Sequence, residues 1–202
     1  MKKVPQPEEN GAWLAMNTRG EGWGNDGFFW ISYEAPLSEM TVFEMSSDYT
    51  EVVAYDWGKE GFLDLGEEVT LRNDFHHEGL LRGVGTYTEE NNQTILVEVM
   101  NKDLTEVLFS RECTFEGFGY HTIWLDEPLQ VKDYSIVVTY QGKAPVEGAS
   151  WEIDVIDFNG DIEPGQSFVF VDNTWYDLAD EATMGVLGID EPTNNCCIKA
   201  IY

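Results

Sequence analysis

The chain is 202 residues long, 43% hydrophobic and 13% aromatic, enough to bury one sizeable core or one core with an appendage. Its 38 Asp and Glu against 11 Lys and Arg leave a formal net charge of −27, which repels a phosphate backbone and an anionic lipid surface and argues against nucleic acid as a partner. Three cysteines, Cys113 and the adjacent Cys196 and Cys197, are an odd set that indicates no disulfide framework, so buried thiols are expected.

In chain order, residues 2–10 are polar and contain Pro5 and Pro7, which predicts an extended lead-in. No apolar stretch stands behind Lys2 and Lys3, and no run of about 18 apolar residues occurs anywhere. The expectation is a chain with no signal peptide, export signal or membrane anchor of its own and no membrane insertion; the signal of an exported parent would lie outside this sequence. Residues 11–33, GAWLAMNTRGEGWGNDGFFWISY, read as a β-hairpin. Residues 12–16 form an apolar run and 28–33 an aromatic and β-branched one. Between them Gly20, Gly22, Gly24 and Gly27 supply the permissive backbone of a tight, irregular turn.

That hairpin resembles the catalytic-asparagine segment of papain-family cysteine peptidases, where a strand ending in Asn-Ser-Trp-Gly is followed by Trp-Gly, then Asn-Gly-Tyr and a second strand. The matching residues are Asn17-Thr18-Arg19-Gly20, Trp23-Gly24 and Asn25-Asp26-Gly27-Phe28. The resemblance implies that Asn17 occupies the position that accepts a hydrogen bond from the catalytic imidazole. The family's order is Cys, His, Asn, yet the sixteen residues before Asn17 contain neither Cys nor His, and Arg19 stands where the family's shielding Trp would be. An asparagine alone is neither nucleophile nor base. Asn17 is therefore expected to be a vestigial turn residue, catalytic only if another polypeptide supplies the Cys and the His.

Glu34-Ala35-Pro36 breaks the pattern, so residues 1–35 read as a papain-type C-terminal hairpin remnant and residues 36–202 as a separate domain. From there short apolar or alternating runs are separated by Gly, Asn, Asp and Pro, with no sustained helical periodicity. Strands are expected at 51–55, 68–71, 80–87, 94–100, 106–109, 121–125, 134–140, 151–156, 167–171 and 196–201. Tyr134, Ile136, Val138 and Tyr140 share one face, as do Ile95, Val97 and Val99. The compact polar stretches 89–92 and 101–103 are of the type that joins antiparallel neighbours. Residues 176–184 are expected to be a loop with one helical turn. Many short strands so spaced predict an all-β chain, a sandwich or a barrel, with an N-terminal hairpin. The segments EVVAYDWG at 51–58, LLRGVGTY at 80–87, GYHTIWL at 119–125, WYDL at 175–178 and CIKA at 197–200 look like the lectin-like domain that follows the papain-type domain in bacterial surface peptidases. The resemblance implies an antiparallel β-sandwich of jelly-roll or lectin-like kind in an extracellular or cell-surface setting.

Three groups of residues are site candidates. Asp157, Asn159 and Asp161, with Asp154 and Glu163 nearby, form an acidic cluster that would suit Ca²⁺. It departs from the EF-hand pattern, with Ile162 where that loop wants glycine and Phe168 where it wants glutamate, and an Asn-Gly turn explains it as well. No other cofactor is called for. His76 and His77 are neighbours that an extended backbone would point to opposite faces, and His121 is expected to be partly buried and inert. Trp57, Trp151 and Trp175 lie beside turn residues and are the candidates for stacking on a glycan or cell-wall component. Trp13, Trp23 and Trp30 are expected to pin the hairpin to the sandwich, its second strand packing there or against a second copy, because two strands alone are marginal in water.

The resulting expectation is a non-catalytic accessory or binding module. The alternative is one part of a split cysteine peptidase, with Asn17 completing a site on an upstream peptidase domain carried by another chain.

Overall fold

Alternating apolar runs punctuated by turn residues become strands that each give one face to a common core. The computed structural model describes residues 11–35, 51–59, 61–147, 162–189 and 195–202, together with the backbone of 151–153 and 156–158. The chain divides into two compact units, Met1–Met45 and Ser46–Tyr202.

In the first unit, β1 (Ala12–Met16) pairs antiparallel with β2 (Phe28–Ser32), with Leu14 opposite Trp30 and Met16 opposite Phe28. The turn closes through the Asn17 N–H on the Gly27 carbonyl at 2.8 Å. Gly24 has φ +74°, and a Cβ there would lie 2.5 Å from the Phe28 carbonyl oxygen, so only glycine fits that position. Leu14, Met16, Phe28 and Trp30 share one face and are all exposed. The other face carries edge-on ring pairs, Trp13 with Tyr33 and Trp23 with Phe29.

The second unit holds β3 (Val52–Ala54), β4 (Gly61–Leu63), β5 (Glu68–Thr88), β6 (Gln93–Asn101), β7 (Val107–Phe115), β8 (Gly119–Gln141) and β9 (Ala144–Val146). After these come β10 (Trp151–Ile153), β11 (Ile156–Phe158), β12 (Ser167–Val171), β13 (Thr174–Asp177), helix α1 (Glu181–Leu187) and β14 (Lys199–Ile201). The main sheet runs β13-β12-β5-β8-β6-β7, and β14 joins β5 to β3. β4 pairs with β9, and β10 with β11. Every ladder is antiparallel.

The long strands β5 and β8 run the length of the sandwich and bend at two irregularities. In the first, the pairing slips between His76 and Gly79. In the second, Leu81 pairs with Leu129 and Gly83 with Trp124, so Leu125 to Pro128 stand opposite the single residue Arg82. The two ends of these strands face each other across the core, where the Thr86 hydroxyl lies 2.7 Å from the Tyr140 hydroxyl and donates to the Cys197 carbonyl. The core is continuous and includes Leu71, Phe75 and Val84 of β5, Ile95 and Val97 of β6, and Ile123, Ile136 and Val138 of β8. This is an all-β antiparallel sandwich, one of the two architectures that the strand spacing predicts and the one that the resemblance implies.

Four differences from the sequence reading have physical causes. The expected strands 68–71 and 80–87 are one strand, and so are 121–125 and 134–140, because bulges absorb the polar stretches between them. Pro128 sits in a bulge, where a missing N–H costs no ladder bond. The 89–92 turn joins β5 to β6, which are not neighbours, since β8 lies between them. Finally, 181–187 is a capped helix rather than a single turn: the Asp180 carboxylate accepts from the Ala182 N–H at 3.0 Å, and Gly188 closes the other end at φ +66°.

Candidate functional site

The side chain of Asn17 is held within its own loop. Its Nδ2 donates to the carbonyls of Gly27 at 2.5 Å and Trp23 at 3.2 Å, and its Oδ1 accepts the Arg19 N–H at 2.5 Å. That is an Asx turn that ties both ends of the hairpin loop together. An imidazole from another chain would have to use the second lone pair of Oδ1.

The cysteines and histidines belong to the second unit. Burial pushes the Cys196 thiol up to about 12, raises Cys197 well above its usual value and raises Cys113 as well. All three are therefore protonated at neutral pH, and a protonated thiol is a poor nucleophile. His121 is half-buried, stacks on Phe115 with centroids 3.8 Å apart, and lies 2.9 Å from the Thr88 hydroxyl. His76 meets Asp133 at 2.9 Å and His77 meets Glu51 at 3.4 Å, so the two neighbours face different carboxylates. Among the described residues no cluster of His, Cys, Asp and Glu is arranged to hold a metal ion. Asn159 and Asp161 lie outside the described residues, as does the side chain of Asp157.

Of the three candidate tryptophans, Trp57 is 81% exposed, with its N–H on Glu147 at 3.0 Å. Trp175 is half-buried; the Arg72 guanidinium lies 4.5 Å from its ring and 3.9 Å from that of Phe168, so one face of Trp175 is taken up by packing. The side chain of Trp151 lies outside the described residues.

A further aromatic surface lies on the outer face of β5 and β8. Gly83, Gly85 and Tyr87 alternate along one face of β5, opposite Trp124, Thr122 and Tyr120 of β8. The intervening Val84, Thr86 and Ile123 turn inward and are buried. A Cβ on Gly85 would meet the Tyr120 hydroxyl oxygen at 2.1 Å and its ring at 2.9 Å, and one on Gly83 would meet the Trp124 ring at 3.0 Å. Tyr120 therefore lies over backbone that glycine keeps clear, and the Trp124 ring packs tightly over Gly83. Tyr120 is 44% exposed and makes an edge-on contact with Tyr87 at 5.1 Å. Burial first, and Asp56 next, push the Tyr87 phenol up to about 12, so it stays neutral. Beside it Lys199 pairs with the buried Asp56 and lies 5.9 Å from the Tyr87 ring. The sequence reading passed over Tyr120 and Trp124. Their signal was the Gly-x-Gly of β5 facing aromatic residues spaced four apart on β8, which becomes visible only once the register is known.

Residues 72–202 match the protein family described as Lectin like domain. Among solved structures the chain is similar to the clostridial cysteine protease Cwp84 after propeptide cleavage, at 22% identity and a TM-score of 0.65, over 96% of this chain and 52% of that one. It is also similar to the cysteine protease and lectin-like domains of Cwp84, a surface layer associated protein of Clostridium difficile, at 22% identity and a TM-score of 0.61, over 96% and 46%. The chain spans about half the length of these structures, and the likeness is one of fold. No curated protein matches it.

Proposed function

The chain belongs to the lectin-like domain family, and from that premise we propose that it is a non-catalytic module that binds glycan or cell-wall material at the cell surface. The observation that carries the reading is the pair of rings, Tyr120 and Trp124, laid over Gly85 and Gly83. A pyranose ring presents a patch of C–H groups that packs against an aromatic face, and rigid rings lose little conformational freedom on binding. The cell-surface location follows the likeness to Cwp84, a surface layer associated protein. The protonated thiols support the non-catalytic side of the reading.

A glycan array probed with calcium present and with calcium chelated tests this, followed by titration calorimetry of the hits. Tyr120→Ala is expected to weaken binding about tenfold or more, the loss of roughly 1.4 kcal/mol or more that follows when a central aromatic contact is removed. An array blank in both conditions, or variants Tyr120→Ala and Trp124→Ala that bind as the parent does, would sink the reading.

A further inference from the structure

The second bulge opens a pocket of about 230 Å³ lined by Arg82, Trp124, Leu125 and Pro128. It exists because Leu125 to Pro128 loop away from the sheet opposite Arg82. The loop is held from β7, where Arg111 donates from one nitrogen to the Trp124 carbonyl and from another to the Asp126 carboxylate. That clamp fixes the backbone of Trp124 and compensates the charge of Asp126. Glu127, the other acid of the loop, is exposed and does not line the pocket.

Arg82 has no such partner. Among the described residues it makes no hydrogen bond or ion pair, whereas Lys59, Arg72, Arg111, Lys132 and Lys199 each hold a carboxylate. Arg19, Lys102 and Lys143 likewise make no ion pair among the described residues; of the two unpaired arginines there, Arg19 is exposed, whereas Arg82 is half-buried and lines a pocket. Guanidinium offers a planar fork of N–H donors that matches a carboxylate in two parallel bonds. Bulk charge works against an anionic ligand here, so recognition of one would depend on this local cation.

We propose that the Arg82 pocket binds the carboxylate of an acidic saccharide whose ring stacks on Trp124. The inference rests on the glycan-binding reading and names the ligand class. Trp124 belongs to both features: its ring covers Gly83 on the aromatic face, and it borders the pocket that holds Arg82. A sugar seated on the face would present a ring carboxylate toward the guanidinium, and a neutral sugar would leave that donor fork to water.

The test is titration calorimetry of the full chain against uronate, sialyl and muramyl oligosaccharides, each beside its own methyl ester. The ester keeps the stacking surface and removes the charge. The parent chain is expected to bind at least one acid about tenfold more tightly than its ester, a difference of roughly 1.4 kcal/mol. Arg82→Gln should bring the acid down to the affinity of the ester and leave ester binding unchanged, while Arg82→Lys, which keeps the charge but loses the fork, should fall between. Equal binding of acid and ester by the parent, or a preference that survives Arg82→Gln, overturns the proposal. If the esters bind and depend on Tyr120 but the acids gain nothing, glycan binding stands and the carboxylate assignment falls; if neither form binds, both fall.

Discussion

His121 shows how much of a residue's chemistry is set by its neighbours rather than its type. Burial against Phe115 lowers its pKa below the usual imidazole value, and the contact with Gly117 only partly opposes this. The unfolded chain therefore binds a proton at a pH where the folded chain does not, so stability rises with pH through that window. Stability should be fully present above the unfolded value of about 6.5 and fall as the pH drops through it toward the depressed folded value. His121→Gln should flatten that acid limb, read as the melting temperature from pH 7 down to pH 5. An unchanged slope would mean that other groups set the acid sensitivity. Asn17 makes the complementary case, since all of the polar contacts that define it lie within ten residues and mark a loop residue.

At the scale of elements, the short β14 is held to the long β5 by side chains as well as by its ladder. Asn73 is fully buried; its Nδ2 donates to the carbonyls of Cys196 at 3.1 Å and Ile198 at 3.0 Å, and its Oδ1 accepts from the Ser167 hydroxyl at 2.7 Å. One amide thus joins β5, β12 and the chain leading into β14. Asn73→Ala would leave the Ile198 carbonyl short of a partner, at about 1–3 kcal/mol for a group buried this deeply, while the Ser167 hydroxyl keeps Asn195 and the Cys196 N–H. Chemical denaturation should show that loss, and amide exchange should speed up first in 196–201. A loss below about 1 kcal/mol would mean that water or a backbone shift replaces the amide. The hairpin is the opposite kind of element, with Leu14, Met16, Phe28 and Trp30 exposed on one face.

For the whole molecule the dominant fact is the charge of −27. Two effects of salt compete. Screening weakens ion pairs such as Arg111 with Asp126, whose carboxylate is 83% exposed, but exposed pairs contribute only about 0–1 kcal/mol each. Screening also relieves repulsion among the excess carboxylates, and with 38 acids to 11 bases the repulsive pairs far outnumber the attractive ones. The melting temperature should therefore rise as sodium chloride is raised from about 10 to 150 mM, over which the screening length falls from about 30 Å to about 8 Å. A fall over that range would show that local ion pairs outweigh the global field.

By itself the sequence determined what depends on neighbours along the chain. The alternation of Ile95, Val97 and Val99, and of Tyr134, Ile136, Val138 and Tyr140, marked strands with one face to a core, and those residues are all buried. The glycines between 20 and 27 marked a hairpin, and β1 and β2 pair across them. Local polarity hid the parts that depend on distant partners. Residues 72–79 contain Arg72, Asn73, Asp74, two histidines and Glu78, yet they continue β5, because Asn73 finds its acceptors more than a hundred residues away. Only the tertiary structure laid the rings of Tyr120 and Trp124 over Gly85 and Gly83 and left Arg82 facing a bulge. That arrangement depends on the register between two strands whose paired residues are more than thirty positions apart, and register is set by which faces the core buries, not by the residues at the site.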